Sequence, residues 1–253
     1  MEGSFGFHDY EEQHAKQSAR EFERMLREDS YAFLDLVEVD QIYQYYLRSN
    51  DLKKAEQLIG YALQTHPSSA DLYQKKAQIA VEKGAFEQAL DFIDHARHLA
   101  PSEIEFLHFH ADILAQVEDY EGAIQLLKDH ILQADQPEEF LLQMGNIAQI
   151  ARLVVESEKY YRDALELDPE FEDALYELAF LLESEDRTVE AIQLYHTYLD
   201  DYPYSSAVWY HLGNLLRKIG NYEMGLEAYE FVLAIDEDFG PAHFARGQVL
   251  MEL

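Results

Sequence analysis

A 34-residue period governs this chain. Ala55, Ala89, Ala123, Ser157, Ala191 and Gly225 stand at identical intervals, each small and each inside an amphipathic run. Tyr43, Ala77, Ala111, Gly145, Ala179, Gly213 and Gly247 form a second register, and Pro67, Pro101, Asp135, Pro169, Pro203 and Glu237 a third. Three registers that hold without an insertion over about two hundred residues point to a tandem array of one helical repeat, whose stacked copies share a continuous core.

The repeat itself can be read between residues 172 and 205. Leu175, Leu178, Ala179 and Leu182 fall on one face at helical spacing, and Ala191, Leu194, Tyr195 and Tyr198 make a second face. The polar stretch Glu183-Ser-Glu-Asp-Arg-Thr188 between them has room only for a turn joining antiparallel helices. Elsewhere Asn50-Asp51, Gly84 and Gly220-Asn221 mark that turn with residues that tolerate a left-handed backbone. Helices joined so tightly cross closely, and a side chain larger than alanine at the crossing would force the axes apart. Proline closes most repeats because it cannot continue a helix interior, and Ser68-Ser69, Ser102-Glu103 and Ser205-Ser206 stand where they can cap the next one. Repeat four has no glycine or asparagine near Arg152-Leu153, so its second helix is expected to begin early or join irregularly.

These residues resemble the tetratricopeptide repeat. The sixth copy carries the likeness best, reading Trp209-x-x-Leu212-Gly213-x-x-Leu216, then Tyr222, Gly225, Tyr229 and Val232. Tyr73, Ala77, Phe86, Ala89, Ala96 and Pro101 repeat it in the second copy. The resemblance implies an all-α, right-handed superhelical solenoid of antiparallel helix pairs, with a concave surface made mostly by the first helix of each pair. The expected organisation is an N-terminal extension and capping helix over 1–35, six repeats (36–69, 70–103, 104–137, 138–171, 172–205 and 206–239), and the first helix of an incomplete seventh over 240–253. Residues 1–8 are expected to be mobile. From Asp9 to Glu28 the apolar Ala15, Ala19, Phe22, Met25 and Leu26 predict a helix packed on the first repeat, with Asp29-Ser30 as its stop.

Composition narrows the partner. Fifty acidic against 19 basic residues give a formal charge of −31, which repels phosphate backbones and anionic lipid and leaves a basic or neutral protein as the expected partner. With no cysteine the chain has no disulfide, thiolate metal site or cysteine nucleophile. No secretory signal and no membrane-length apolar run are present, so a cytoplasmic protein is expected. No phosphate loop, nucleophile elbow or dinucleotide motif appears, and no enzyme activity or cofactor is expected. His95 and His98 have ligand spacing but no third ligand, while His110 and His130 read as core residues.

Candidate binding residues come from the outward positions of the first helices. One row is Gln44, Gln78, Asp112, Asn146, Phe180, Asn214 and Gln248. Its carboxamides offer donors and an acceptor to an extended peptide, as in the array of O-GlcNAc transferase, or they serve the fold and solubility. The neighbouring row holds Asp40, Gln74, His108, Leu142, Tyr176, Tyr210 and Phe244. Tyr176, Phe180 and Tyr210 are the anchor candidates in these rows, unless their rings pack on adjacent helices instead. Arg217, Lys218 and Arg246 make a basic spot that either holds a partner's carboxylate or complements a helix end and nearby acids. The carboxylate clamp of some relatives is absent, since its places hold Asp40, Gln44, Gln74, Lys75 and Gln78.

The expected function is a non-enzymatic scaffold that binds a peptide or protein segment in its groove, without nucleic acid or membrane, as a monomer or a weak homodimer through the terminal helices. The alternatives are a self-associating structural subunit, suggested by the apolar Phe244, Val249, Leu250 and Met251 at the end of the chain, or the regulatory part of a longer, truncated protein.

Overall fold

The computed structural model describes residues 3–28, 30 and 33–253, with the backbone alone for 3–12. All its regular structure is helical, without a strand among the described residues. The chain forms two compact units, Met1–Ala123 and Ile124–Leu253.

The first unit holds α1 (Gly3–Arg27), α2 (Leu36–Arg48), α3 (Leu52–Thr65), α4 (Ala70–Glu82), α5 (Phe86–Leu99) and α6 (Ile104–Gln116). In chain order α7 (Tyr120–His130) follows across the unit boundary. The second unit continues with a 3-10 turn at Ile131–Gln133, then α8 (Pro137–Ile150), α9 (Val154–Leu167), α10 (Glu172–Ser184), α11 (Thr188–Asp201), α12 (Ser206–Lys218), α13 (Tyr222–Ile235) and α14 (Gly240–Glu252). Within each unit neighbouring helices pack in sequence as antiparallel pairs, such as α4 on α5, α8 on α9 and α12 on α13. The helices before Pro67, Pro101, Pro169 and Pro203 all stop two residues short of the ring, because the position preceding proline is driven out of the helical region. In the third repeat the proline has moved to Pro137, where it opens α8 instead.

The turns repeat as strictly as the helices. Asn50, Gly84, Glu118, Arg152, Asp186 and Gly220 all have φ between 54° and 78°, and they stand 34 residues apart. At Gly84 the N–H donates to the Val81 carbonyl and the next N–H to Ala80, both at 2.8 Å; Arg152 and Leu153 make the same pair of bonds to Gln149 and Ala148. This is the helix-ending motif that satisfies the last carbonyls through one left-handed residue. Arg152 therefore does the work of a glycine, and α9 starts in register, contrary to the irregular junction expected there. The caps also differ from expectation. Ser205 accepts from the Val208 N–H, but Ser69 and Glu103 make no side-chain cap; Asp35, Asp51 and Asn221 cap α2, α3 and α13.

The small-residue ladders sit where helices touch. Ala55, Ala89, Ala123, Ser157 and Ala191 are fully buried. A Cβ on Gly225 would lie 3.3 Å from the Gly213 carbonyl oxygen. Two pairs earlier, Ser157 uses its hydroxyl at the same place, donating to the Gly145 carbonyl at 3.0 Å. The second ladder leaves room for a ring: a Cβ on Gly145 would meet the Tyr161 ring at 2.3 Å, and one on Gly213 the Tyr229 ring at 2.7 Å.

At the N-terminus, Ala19, Phe22 and Met25 of α1 bury themselves with Val39, Ile42 and Tyr46 of α2 and Leu58 of α3. Glu23 anchors the helix through Lys54 at 3.0 Å. The helix begins at Gly3, earlier than the Asp9 expected from its apolar spacing. Its end is closed by the Ser30 N–H donating to Met25, while Asp29 lies outside the described residues.

Candidate functional site

The expected binding residues fall into the two units. Gln44 lies exposed on α2 and Gln78 on α4. On α6, His108 is half-buried and Asp112 exposed. Gln78 accepts from the Tyr43 hydroxyl at 3.0 Å, and Asp40 pairs with Lys75 at 3.0 Å beside a recess of about 450 Å³.

Asn146, Tyr176, Phe180, Tyr210, Asn214 and Arg217 lie in the second unit, where the amide row shows a definite task. The Tyr229 hydroxyl donates to Asn214 Oδ1 at 2.9 Å. The Tyr161 hydroxyl lies 2.8 Å from Asn146 Oδ1 and 2.6 Å from Gln149 Oε1. Glycine, asparagine and a tyrosine sixteen residues after the glycine thus form one device, in which the ring lies over the glycine and its buried hydroxyl finds the adjacent amide. Burial pushes both phenols above their ordinary pKa, so they act as hydrogen-bond donors at any physiological pH. With one lone pair of its oxygen engaged, each asparagine keeps its two N–H donors and one acceptor site to offer. Gln248 is also engaged, accepting from Arg217 Nη1 at 3.2 Å.

The fifth repeat breaks the device. It has Ala179 and Phe180 in place of glycine and asparagine, although Tyr195 is retained. A recess of about 320 Å³ lies here, walled by Tyr176 and Phe180 of α10, Tyr195 of α11, and His211 and Asn214 of α12. Tyr176, Phe180 and Glu183 share one face of α10 by their spacing of four and three, and on α12 Asn214 and Leu215 stand three and four residues after His211. The Tyr176 and His211 ring centroids are 4.6 Å apart. Tyr176 is fixed by its hydroxyl, which donates to Glu172 at 2.5 Å; the same carboxylate accepts from Ser205, the cap of α12, at 2.6 Å. Tyr210 does not line this recess: it packs instead on Phe239 and Tyr229, at 5.3 and 6.0 Å between centroids.

A wider recess of about 580 Å³ continues past Asn214 to Arg217, Lys218 and Gln248. Lys218 is paired with Glu183 at 2.9 Å, so one of the three cations of the basic spot is already neutralised from within the unit. Sequence reasoning found Tyr176, Phe180 and Asn214 but missed His211, Tyr195, Glu177 and Glu183. The signal that could have found them is the mismatch of Ala179 with Tyr195, where the other two tyrosines face glycine.

The two histidines expected in the core, His110 and His130, have structural partners. His110 lies 3.0 Å from Arg97 through Nδ1, and His130 contacts the Leu126 carbonyl of its own helix at 2.8 Å. Among the described residues no group of three or more His, Cys, Asp or Glu is placed to hold a metal, and no helix is long and apolar enough to cross a membrane.

Tetratricopeptide-repeat models match residues 46–113, 160–193 and 206–239, together just over half of the sequence. The chain belongs to the tetratricopeptide-repeat family, as its paired helices and 34-residue turns indicate. It is 30% identical over 172 residues to the TPR repeat-containing protein YpiA of Bacillus subtilis (strain 168), an alignment covering 65% of this chain and 39% of that protein. The alignment thus spans well under half of that relative's length. Among solved structures it is similar to PilW, a type IV pilus biogenesis factor, with a TM-score of 0.53 and 16% identity over 83% of this chain and 99% of the other. A tetratricopeptide repeat protein from Parabacteroides merdae gives 0.51 and 16% over 85% of each chain. At these identities the likeness is one of fold.

Proposed function

We propose that the chain is a non-enzymatic, cytoplasmic scaffold that holds a segment of a basic or neutral protein against the first helices of its second unit. The observation that carries this reading is the aromatic recess between α10 and α12. Phe180, a phenylalanine on a first helix, stands 58% exposed at a depression instead of packing in the core. Asn214 and the basic end of α12 continue the surface with hydrogen-bond donors. Because Glu172 and the Tyr229–Asn214 bond hold the walls in place, binding would order the partner more than the scaffold.

Selection of peptides from a displayed random library against the 253-residue chain tests the reading. Selected peptides are expected to lose at least about tenfold in affinity with Phe180→Ala and about threefold with Asn214→Ala, the costs of truncating an anchor and a flanking polar contact. Equal affinity for the wild type and both variants would overturn it.

Self-association is the second reading, favoured by α14, where Phe244, Leu250 and Met251 are 70%, 52% and 81% exposed. It requires a solution mass that rises from 29.5 kDa with concentration and returns to that value with Phe244→Asp.

A further inference from the structure

We propose that the recess between α10, α11 and α12 is a receptor for a single arginine side chain of the partner. This inference rests on the peptide-binding reading and adds the chemistry of the side chain received.

The walls set the first condition. Tyr176, Tyr195 and His211 stand within 6.5 Å of one another by ring centroid, and Phe180 borders the opening. At about 320 Å³ the space is near the lower bound for a ligand pocket, suited to one long side chain. Such walls accept either an apolar group or a cation, since aromatic faces attract positive charge.

Charge decides between these. Glu177 and Glu183 also line the recess; Lys218 already pairs with Glu183 at 2.9 Å, which leaves Glu177 as the carboxylate open to a cation. Burial, reinforced by Asp173, pushes the Glu177 carboxyl above its ordinary pKa, which identifies a negative charge held in poor solvent beside another. An apolar occupant would remove still more water from this carboxylate, and an anion would be repelled. A cation relieves both penalties. His211 does not oppose it, because burial lowers its pKa against the pull of Glu172 and the ring is neutral at neutral pH.

Arginine fits better than lysine. Its planar guanidinium stacks on aromatic rings while its edge donates to a carboxylate, and it is the more weakly hydrated of the two. The formal charge of −31 draws such a partner in over a longer range.

The same charge would attract any arginine peptide loosely, so the test must separate the recess from the general field. The probe is a capped pentapeptide with one arginine between glycines and serines, compared with its citrulline twin, which keeps the shape and loses the charge. Nuclear magnetic resonance titration of the full chain reads the His211 ring protons. The arginine peptide is expected to shift them saturably, with the citrulline peptide at least about tenfold weaker. Glu177→Gln should weaken arginine binding about tenfold and Phe180→Ala about threefold, but Glu230→Gln, the same charge change on the exposed side of α13, less than about twofold. Circular dichroism checks the fold of each variant.

Equal binding of the two peptides would overturn the inference, as would an equal effect of Glu230→Gln and Glu177→Gln, or binding that leaves His211 unmoved. If neither peptide binds at millimolar concentration, the arginine receptor is refuted, and the groove reading is decided separately by the peptide selection.

Discussion

Substituting alanine for glycine should change sign along this chain. Gly60 lies exposed within α3, and a Cβ there meets nothing within 4 Å. Gly60→Ala is therefore expected to stabilise by about 1 kcal/mol, the difference in helix propensity. Gly145 also lies within a helix, but the added methyl would stand 2.3 Å from the Tyr161 ring, which is fully buried. Since carbon atoms in contact sit about 3.5–4.0 Å apart, the ring or the helix must withdraw by more than about 1 Å. Overpacking of this kind costs about 3 kcal/mol at the upper end of its range, against which propensity returns about 1, for a net loss near 2 kcal/mol. The two variants should thus differ by about 3 kcal/mol, read as opposite shifts of the urea midpoint at constant slope. Trp209, the single tryptophan, reports the second unit by fluorescence if the array unfolds in stages. Ala77 faces Ile93 at the equivalent positions, so Tyr161→Leu combined with Gly145→Ala should be better than the sum of the single changes by at least about 1 kcal/mol. A Gly145→Ala midpoint within experimental error of the wild type, or strict additivity in the double variant, would refute the reasoning.

The turns and the histidines supply two more expectations. Gly84→Ala and Gly220→Ala should each cost about 1 kcal/mol for backbone reasons alone, while Arg152→Gly should stabilise by several tenths, all measurable in the same urea titrations. His110, whose pKa is lowered by burial and then by Arg97, and His211, lowered by burial, are both harder to protonate in the folded state. The unfolded chain then binds more protons just below the ordinary histidine value of 6.5, so stability should fall as pH drops through that value, and His110→Gln with His211→Gln should flatten the fall in thermal melts.

Much of this was legible from spacing. Period 34 located the helix pairs, and the small-residue ladders located their crossings, because close packing leaves alanine, glycine and serine as the solutions. The turns were only half legible. Glycine and asparagine announce a left-handed residue, but Glu118, Arg152 and Asp186 adopt it because the surrounding helices leave no other path. The amide row was visible and its bonds were not: that Asn146 and Asn214 accept from Tyr161 and Tyr229 depends on a sixteen-residue relation between two helices. The recess escaped for the same reason, since it depends on which tyrosine has lost its glycine.

The most direct test of the account places a photo-crosslinking phenylalanine analogue at Phe180, beside the recess, or at Phe231, which is similarly exposed on α13 and stacked on Trp209. Illumination in cells should give an adduct with a different protein from position 180, suppressed by Glu177→Gln, and none from position 231. Adducts from 231 alone, or an adduct at 180 that proves to be a second copy of this chain, would contradict it.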